Sequence, residues 1–347
     1  MKELVDRLRR NQALPAEELR RLLTDNDPTI REYLRRNAQE VALAHFGRGI
    51  FIRGLIEISN RCRNDCRYCG IRRSNRLATR YRLDRQTVLD CCAEGYRLGM
   101  RTFVMQGGED PALTDAFLTD LVGEIHRRWP DCAITLSLGE RSEASYRALF
   151  EAGANRYLLR HETIDPDHYR LLHPEEMSLE NRVQCLRALK KIGYQTGTGI
   201  MVGSPGQTPD LIVKDLQFIA EFKPQMIGIG PFIPHRDTPF GQEPAGSVEL
   251  TVKLLSILRL LCPSALIPAT TALATLSGDG RILGIQAGAN VVMPNLSPPD
   301  ERSKYNLYNG KAAFGCEAAE GLDSLERELE KVGYHISWDR GDYIEQD

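Results

Sequence analysis

From Phe51 onward, short apolar segments alternate with longer stretches in which apolar residues recur every three or four positions. The short segments, at 52–58, 102–106, 133–138, 156–161, 196–201, 226–232, 266–269 and 290–293, have the length and composition of buried strands. The stretches between them carry one apolar face; in 116–128, Phe117, Leu118, Leu121, Val122 and Ile125 fall on the same side of a helix. Helix starts are marked by Thr208 before Pro209 and by Ser178 before Leu179, where a hydroxyl can accept from a free backbone N–H. Strands and helices alternating in this way predict a parallel sheet, because parallel strands need a long crossover between them.

Eight such units predict an α/β fold, a complete (β/α)8 TIM-type barrel over residues 51–309, although a doubly wound sheet is built from the same units. Residues 1–50, rich in Arg, Glu, Leu and Ala, predict an N-terminal helical extension in which Pro15 opens a helix. Residues 310–347 predict a C-terminal segment packed on the barrel, with a loop over 294–321 and a helix at 324–332.

In a parallel barrel the C-terminal strand ends share one rim, where active sites form. Polar residues gather at those ends: Gln106 to Asp110, Ser137 to Glu140, Arg160 to Thr163, Gly230 to His235, and Thr270 with Thr271. Alternation places Arg53, Leu55, Glu57 and Ser59 on one face of the first strand and Ile52, Ile56 and Ile58 on the other, so Arg53 and Glu57 point inward. Arg160 and Glu162 likewise share a face opposite to His161. An unpaired buried charge costs on the order of several kcal/mol, so inward charges call for a partner or a function.

Composition narrows the function classes. With 45 basic and 47 acidic residues and a net charge of -2, the chain as a whole has no polyanion footprint, and a small-molecule substrate is expected rather than nucleic acid. The first residues mix charges where a signal peptide needs an apolar run, and no stretch is long enough to span a bilayer, which predicts a cytoplasmic protein without a membrane partner. Nine cysteines in a reducing compartment point to metal binding rather than to disulfides.

Three of them, Cys62, Cys66 and Cys69, form a C-x3-C-x2-C array on a polar, Arg-rich loop directly after the first strand. Thiolates so spaced can converge on one iron–sulfur cube, and a cube with three protein ligands leaves one iron open to a ligand. A structural zinc would want a fourth Cys or His nearby, which the loop lacks, and three unrelated buried thiols do not suit so polar a loop.

This array, with Tyr68 just before its last cysteine, resembles the signature of the radical S-adenosylmethionine (SAM) superfamily, and the likeness runs from Phe51 to about Asn309. The resemblance implies that the open iron holds the amino and carboxylate groups of SAM, and that one electron cleaves SAM to methionine and a 5'-deoxyadenosyl radical. Gly107, Gly108 and Glu109 match the superfamily's GGE motif, whose loop meets the SAM amino group. Arg182, one turn into the helix after the fourth strand, matches an arginine that contacts the SAM carboxylate; from residue chemistry alone it reads equally as a solvated helix arginine.

The finer resemblance is to the FeFe-hydrogenase maturase family HydE, carried by Ile56 to Asn60, Gly108 to Pro111, Thr135 to Glu140, Arg156 to Thr163, Gly228 to His235, Ile267 to Ala272 and Asn290 to Asn295. It implies that Ser137, Glu140, Arg160 and Glu162 help hold SAM, and that Arg53, Gln106, Thr135, Thr270, Thr271 and Tyr305 line a substrate pocket. It also implies an organometallic iron substrate received from the maturase HydG, a product passed to HydF, one 4Fe-4S cluster, and action as a monomer. Some family members carry a second, surface cluster on three cysteines; the matching positions here are Ala313, Gly321 and Ser324, so no second cluster is expected. Methylornithine synthase, which isomerises an amino acid, shares the barrel and the loop, but a lysine substrate would need a carboxylate deep in the pocket. A non-catalytic Fe–S carrier is a reading of a different class.

Overall fold

The structure, a computed structural model, describes residues 1–312 and 315–345. Three helices open the chain, Lys2–Asn11, Ala16–Thr24 and Pro28–Phe46. The third starts at Asp27, whose carboxylate accepts from Thr29 N, with proline in its first turn. It packs against the helix Val248–Leu261, so this extension lies on the outside of the β/α core.

Among the described residues eleven strands follow: β1 (Gly49–Ile52), β2 (Gly54–Ser59), β3 (Thr102–Gly107), β4 (Ala133–Ser137), β5 (Arg156–Leu158), β6 (Gln195–Thr198), β7 (Met201–Val202), β8 (Met226–Ile227), β9 (Gly230–Pro231), β10 (Val291–Val292) and β11 (His335–Ser337). A six-stranded sheet runs β2-β3-β4-β5-β6-β8, and every pair in it is parallel. Single parallel bridges continue from it, Met226 to Leu266 and Pro268 to Val291, and β10 pairs in parallel with β1. Each of the eight apolar segments therefore lies in a parallel pairing, with helices in the crossovers. The outward residues Ile52, Ile56 and Ile58 join Leu118, Leu121, Val122 and Ile125 in the main core.

Three segments are each interrupted. The first breaks at Arg53, where pairing changes from β10 and β11 below to β3 above. The fifth and sixth break at Gly199 and Gly228, where the two backbones touch so closely that a Cβ on Gly199 would collide with the Gly228 carbonyl. The expected loop over 294–321 contains a short helix, Pro299–Arg302, and two 3-10 turns, and the last helix spans Leu322–Glu330.

β11 was not expected from the apolar pattern. It pairs in parallel with β1 over Gly49–Phe51, and the chain beyond it folds under the strands' N-terminal ends. There the fully buried Arg156 of β5 donates to the carbonyls of Arg340 and Gly341, each at 3.0 Å, and to the Asp342 carboxylate at 2.7 Å. No helix among the described residues is long and apolar enough to cross a membrane.

Candidate active site

The cysteine loop leaves β2 and returns at Tyr81 without regular structure, so its backbone polar groups need other partners. Arg80 supplies four of them, donating to the carbonyls of Asn60 (2.6 Å), Ile71 (2.8 Å), Arg72 (2.6 Å) and Asn75 (3.0 Å). Asn60 donates to Thr79 O and Lys304 O and accepts from Tyr81 N. Asp65 accepts from Arg72 at 2.8 Å and from Ser74 at 2.6 Å, and Asn75 closes the turn on Gly70 O. The loop is thus shaped before any ligand arrives.

Cys62, Cys66 and Cys69 are half-buried and unbridged. Burial pushes all three thiols up, Cys66 strongly and Cys69 to about 12; neighbouring cysteines add to it at Cys66 and Cys69, and the Glu109 carboxylate at Cys62. Three such thiols facing one another suit a cationic centre, which would neutralise the thiolates. Among the described residues no group of three or more Cys, His, Asp or Glu is placed to hold a single metal ion.

β3 delivers the second element. Gly108 N donates to Ser59 O at 3.0 Å, and a Cβ on Gly108 would collide with the Arg61 carbonyl and lie 2.8 Å from Cys62 Cβ, so only glycine lets this strand end touch the cysteine loop. Glu109 is bound on both oxygens, accepting from Arg63 Nε at 3.0 Å and from Glu140 N at 2.9 Å. Gly139, at φ 76°, abuts the Glu109 carboxylate. Asp110 joins the two strand ends, accepting from Ser59 Oγ at 2.6 Å and from Arg82 at 2.7 Å.

Ser137 ends β4 opposite Gln106, and Glu140 follows it. Arg182 is buried, not solvated: its Nε donates to Glu140 at 2.6 Å and its Nη1 to the Arg160 carbonyl. Arg160 and Glu162 point to one side, with Nη2 and Oε2 3.0 Å apart, while Arg160 Nε and Glu162 Oε2 find no hydrogen-bond partner. Glu162 is one of three non-glycine residues with positive φ among the described residues, at 62°, a conformation that costs a non-glycine residue on the order of 1–3 kcal/mol and clusters at functional sites. His161 takes the opposite side, stacking edge-on against Phe218 with centroids 4.9 Å apart.

Inside the strands, polar groups divide into the paired and the unpaired. Glu57, fully buried, is paired, accepting from Lys311 Nζ and, at 2.9 Å, from Asn295. Thr271 donates to Glu317 at 2.6 Å, and Gln106 reaches the buried Tyr305 hydroxyl at 3.4 Å. The unpaired atoms are Arg53 Nε and Nη2, Thr135 Oγ1 and Thr270 Oγ1. Arg53 has one weak contact, Met226 Sδ at 3.3 Å, and burial, with Arg156 nearby, holds its guanidinium well below the usual arginine range.

The expected site residues from β2, β3 and β4 thus converge with Arg160, Glu162 and Arg182. The roles of Arg80 and Lys311 were missed: Arg80 binds backbone carbonyls, which no residue pattern announces, and Lys311 meets Glu57 across 254 positions. Cys91, Cys92, Cys132 and Cys185 are buried, and Cys262 is half-buried. Cys316 faces Glu328 Oε1 at 3.3 Å. Gly321 immediately precedes the last helix and Ser324 lies in its first turn, and Ala313 lies outside the described residues.

Comparison with known proteins identifies the family. The family model described as the radical SAM superfamily matches residues 56–219. The chain is 44% identical over 310 residues to the [FeFe] hydrogenase maturase subunit HydE of Thermotoga maritima, covering 89% of this chain and 88% of that one. It is 29% identical over 335 residues to 3-methylornithine synthase of Methanosarcina barkeri, covering 95% and 92%. A crystal structure of methylornithine synthase superposes with a TM-score of 0.85 at 28% identity, covering 96% of this chain and 97% of that one.

Proposed function

The chain belongs to the radical SAM superfamily and is a radical SAM enzyme, and from that premise we propose that it acts as a HydE-type maturase in assembling the two-iron part of the FeFe-hydrogenase cluster. When bound, a 4Fe-4S cluster supplies one electron to SAM and releases a 5'-deoxyadenosyl radical. Cys62, Cys66 and Cys69 would hold that cluster. Gly107, Gly108 and Glu109 would border the SAM amino end, with Ser137 and Glu140 beside them; Arg182 would balance its carboxylate, and Arg160 and Glu162 would orient it. We read the strands as one closed (β/α)8 barrel, supported by the run of parallel bridges from β8 round to β1. Residues 1–50 are then its outer helical extension, 51–309 the barrel, and 310–347 a segment closing on it.

The observation that carries the substrate class is the character of the unpaired interior atoms. On Arg53, Thr135 and Thr270 they are groups able to donate, while the unpaired carboxylate oxygen at the strand ends, Glu162 Oε2, has the Arg160 guanidinium 3.0 Å away. The interior carboxylate, Glu57, is already matched by the chain's own ammonium, Lys311. A substrate bearing acceptor groups, such as an iron complex with cyanide and carboxylate, satisfies these donors, with Gln106, Thr271 and Tyr305 completing the wall. A lysine-type substrate would meet Glu57 already neutralised, which weighs against a methylornithine-synthase-like isomerase. We propose further that the enzyme works as a monomer in the reducing cytoplasm with one cluster, receiving its substrate from HydG and passing product to HydF.

The test is anaerobic reconstitution with SAM and dithionite. Release of 5'-deoxyadenosine is expected, and supplementation of a hydrogenase-maturation mixture lacking HydE should restore active hydrogenase. A cluster-replete protein that releases no 5'-deoxyadenosine would be an Fe–S carrier instead; release without restored hydrogenase would reject the maturase assignment.

A further inference from the structure

We propose that the Tyr169 hydroxyl is a further binding group for SAM, donating a hydrogen bond to its methionine carboxylate beside Arg182. The proposal rests on the reading of this site as the SAM site, and it adds a residue from outside the cysteine array, the GGE triplet and the strand ends.

Local sequence puts Tyr169 there. The helix Pro166–Leu172 opens at Asp165, whose carboxylate accepts from Asp167 N and His168 N, each at 3.1 Å, and from Lys214 at 2.8 Å. Its buried residues are His168, Tyr169 and Leu172. The helix ends against the cysteine loop, where Leu172 O accepts from Arg67 N at 2.9 Å and Met177 Sδ lies 3.9 Å from Cys66 Sγ. His173 fixes the tyrosine ring, its imidazole stacked on it with centroids 3.9 Å apart. Burial, with Arg182 nearby, holds the His173 pKa at about 3, so the imidazole is neutral at pH 7. Its Nδ1 lies 3.0 Å from the Tyr169 carbonyl, which can only accept; Nδ1 therefore carries the proton, and Nε2 accepts from the Tyr68 hydroxyl at 3.3 Å. Tyr68 and His173 are thus matched to each other. The Tyr169 hydroxyl is not.

Tyr169 is 1% exposed, and its hydroxyl has no hydrogen-bond partner. A hydroxyl withdrawn from water without a partner destabilises the fold, which calls for a group outside the chain to complete it. The charges acting on this one are those of Arg182, Glu140, Cys66 and Glu162, so it stands where the cluster loop meets the SAM residues. Both Glu140 oxygens are taken, by Arg182 Nε at 2.6 Å and by Asn181 Nδ2 at 2.5 Å. The free oxygen of Glu162 has the Arg160 guanidinium 3.0 Å away. Arg182 commits its Nη1 to the Arg160 carbonyl, and its Nη2 has no acceptor among the described residues. Two donors are left over, one charged and one neutral, and an anionic oxygen satisfies both. Of the groups on SAM, only the carboxylate carries negative charge.

The test compares cluster-loaded wild type with Tyr169→Phe, which removes only the hydroxyl. Anaerobic calorimetry without reductant should show SAM binding weakened about tenfold or more, as expected for loss of a hydrogen bond to a charged group. Iron content and the reduced-cluster EPR signal before SAM addition should stay at wild-type levels. Decarboxylated SAM is the control: both proteins should bind it alike, because it lacks the acceptor. In turnover with dithionite the KM for SAM should rise by a similar factor with kcat little changed. Ligand-free Tyr169→Phe should melt no lower than wild type, since the change removes an unpaired buried polar group. Equal SAM affinity overturns the proposal. So does an affinity loss that persists with decarboxylated SAM, which would put the hydroxyl on another part of the ligand, and so does a lower melting temperature without SAM, which would show that the fold already uses it. Wild type that binds no SAM would reject the reading of the whole site and this proposal with it; wild type that binds and cleaves SAM, with the variant indistinguishable, would reject Tyr169 alone.

Discussion

His161 Nε2 lies 3.5 Å from Asp215 Oδ1, with both side chains fully buried behind the strand that presents Arg160 and Glu162. The same Asp215 oxygen accepts from Ile164 N at 2.6 Å, and His161 Nδ1 is hydrogen-bonded to Thr198 Oγ1 at 2.8 Å. Contacts therefore fix the backbone on both sides of Glu162, whose positive φ needs outside support. Asp215→Ala should cost about 1–3 kcal/mol by leaving the Ile164 N–H unpaired, and should raise the KM for SAM. Asp215→Asn, which can still accept from Ile164, should recover most of both. A lower melting temperature with an unchanged KM would show that the pair supports the helix only.

Cys66→Ala removes one of three ligands. Loss of the reduced-cluster EPR signal and of SAM cleavage is expected together. Persistence of both at wild-type levels would reject the ligand assignment.

Arg80 ties four carbonyls of the cysteine loop, each of which would cost about 1–3 kcal/mol if left buried and unpaired. Arg80→Leu should reduce iron bound per chain after reconstitution to less than half, with little change in far-ultraviolet circular dichroism, because the strands do not depend on the loop. Full iron content in the variant would refute the clamp.

Two glycines make a matched pair of tests. Gly108→Ala places a methyl against the Arg61 carbonyl and Cys62 Cβ, atoms that can move only with the cysteine loop. Gly123, in the helix Asp115–Arg128, has open space where its Cβ would be. Gly108→Ala should impair cluster loading and SAM cleavage at least tenfold, while Gly123→Ala should leave both unchanged and add up to about 1 kcal/mol of stability. The reverse order would contradict the packing described.

The acid limb of loop stability has a defined sign. Burial alone would raise the Asp65 carboxyl, but hydrogen bonds from Arg72 and Ser74 outweigh it and hold it at about 2 against an ordinary 3.8. A depressed folded value means the stabilisation is complete above 3.8 and is lost as pH falls toward about 2. Hydrogen exchange of the cluster-free loop should therefore show a wild-type advantage over Asp65→Asn that shrinks across this window. A constant difference would exclude ionisation of Asp65 as its source.

The strands were legible because each carries its own apolar run and each crossover its own amphipathic face, both local properties. Glycines at 107 and 108 were legible through their neighbours in a motif. Arg182 was ambiguous between a solvated and a site residue, because its partner Glu140 is 42 positions away. Lys311 and Glu57 meet across 254 positions, and no period or spacing announces such a pair. β11 has three residues with one buried side chain; only its pairing with β1 makes it a strand.

That late strand carries a temporal consequence. Arg156 waits for an acid 186 positions further along the polypeptide, so during synthesis on the ribosome the floor of the β/α core holds an uncompensated guanidinium until Asp342 has emerged. Nascent chains arrested before β11 should persist as open, chaperone-bound forms, and iron should enter only after release.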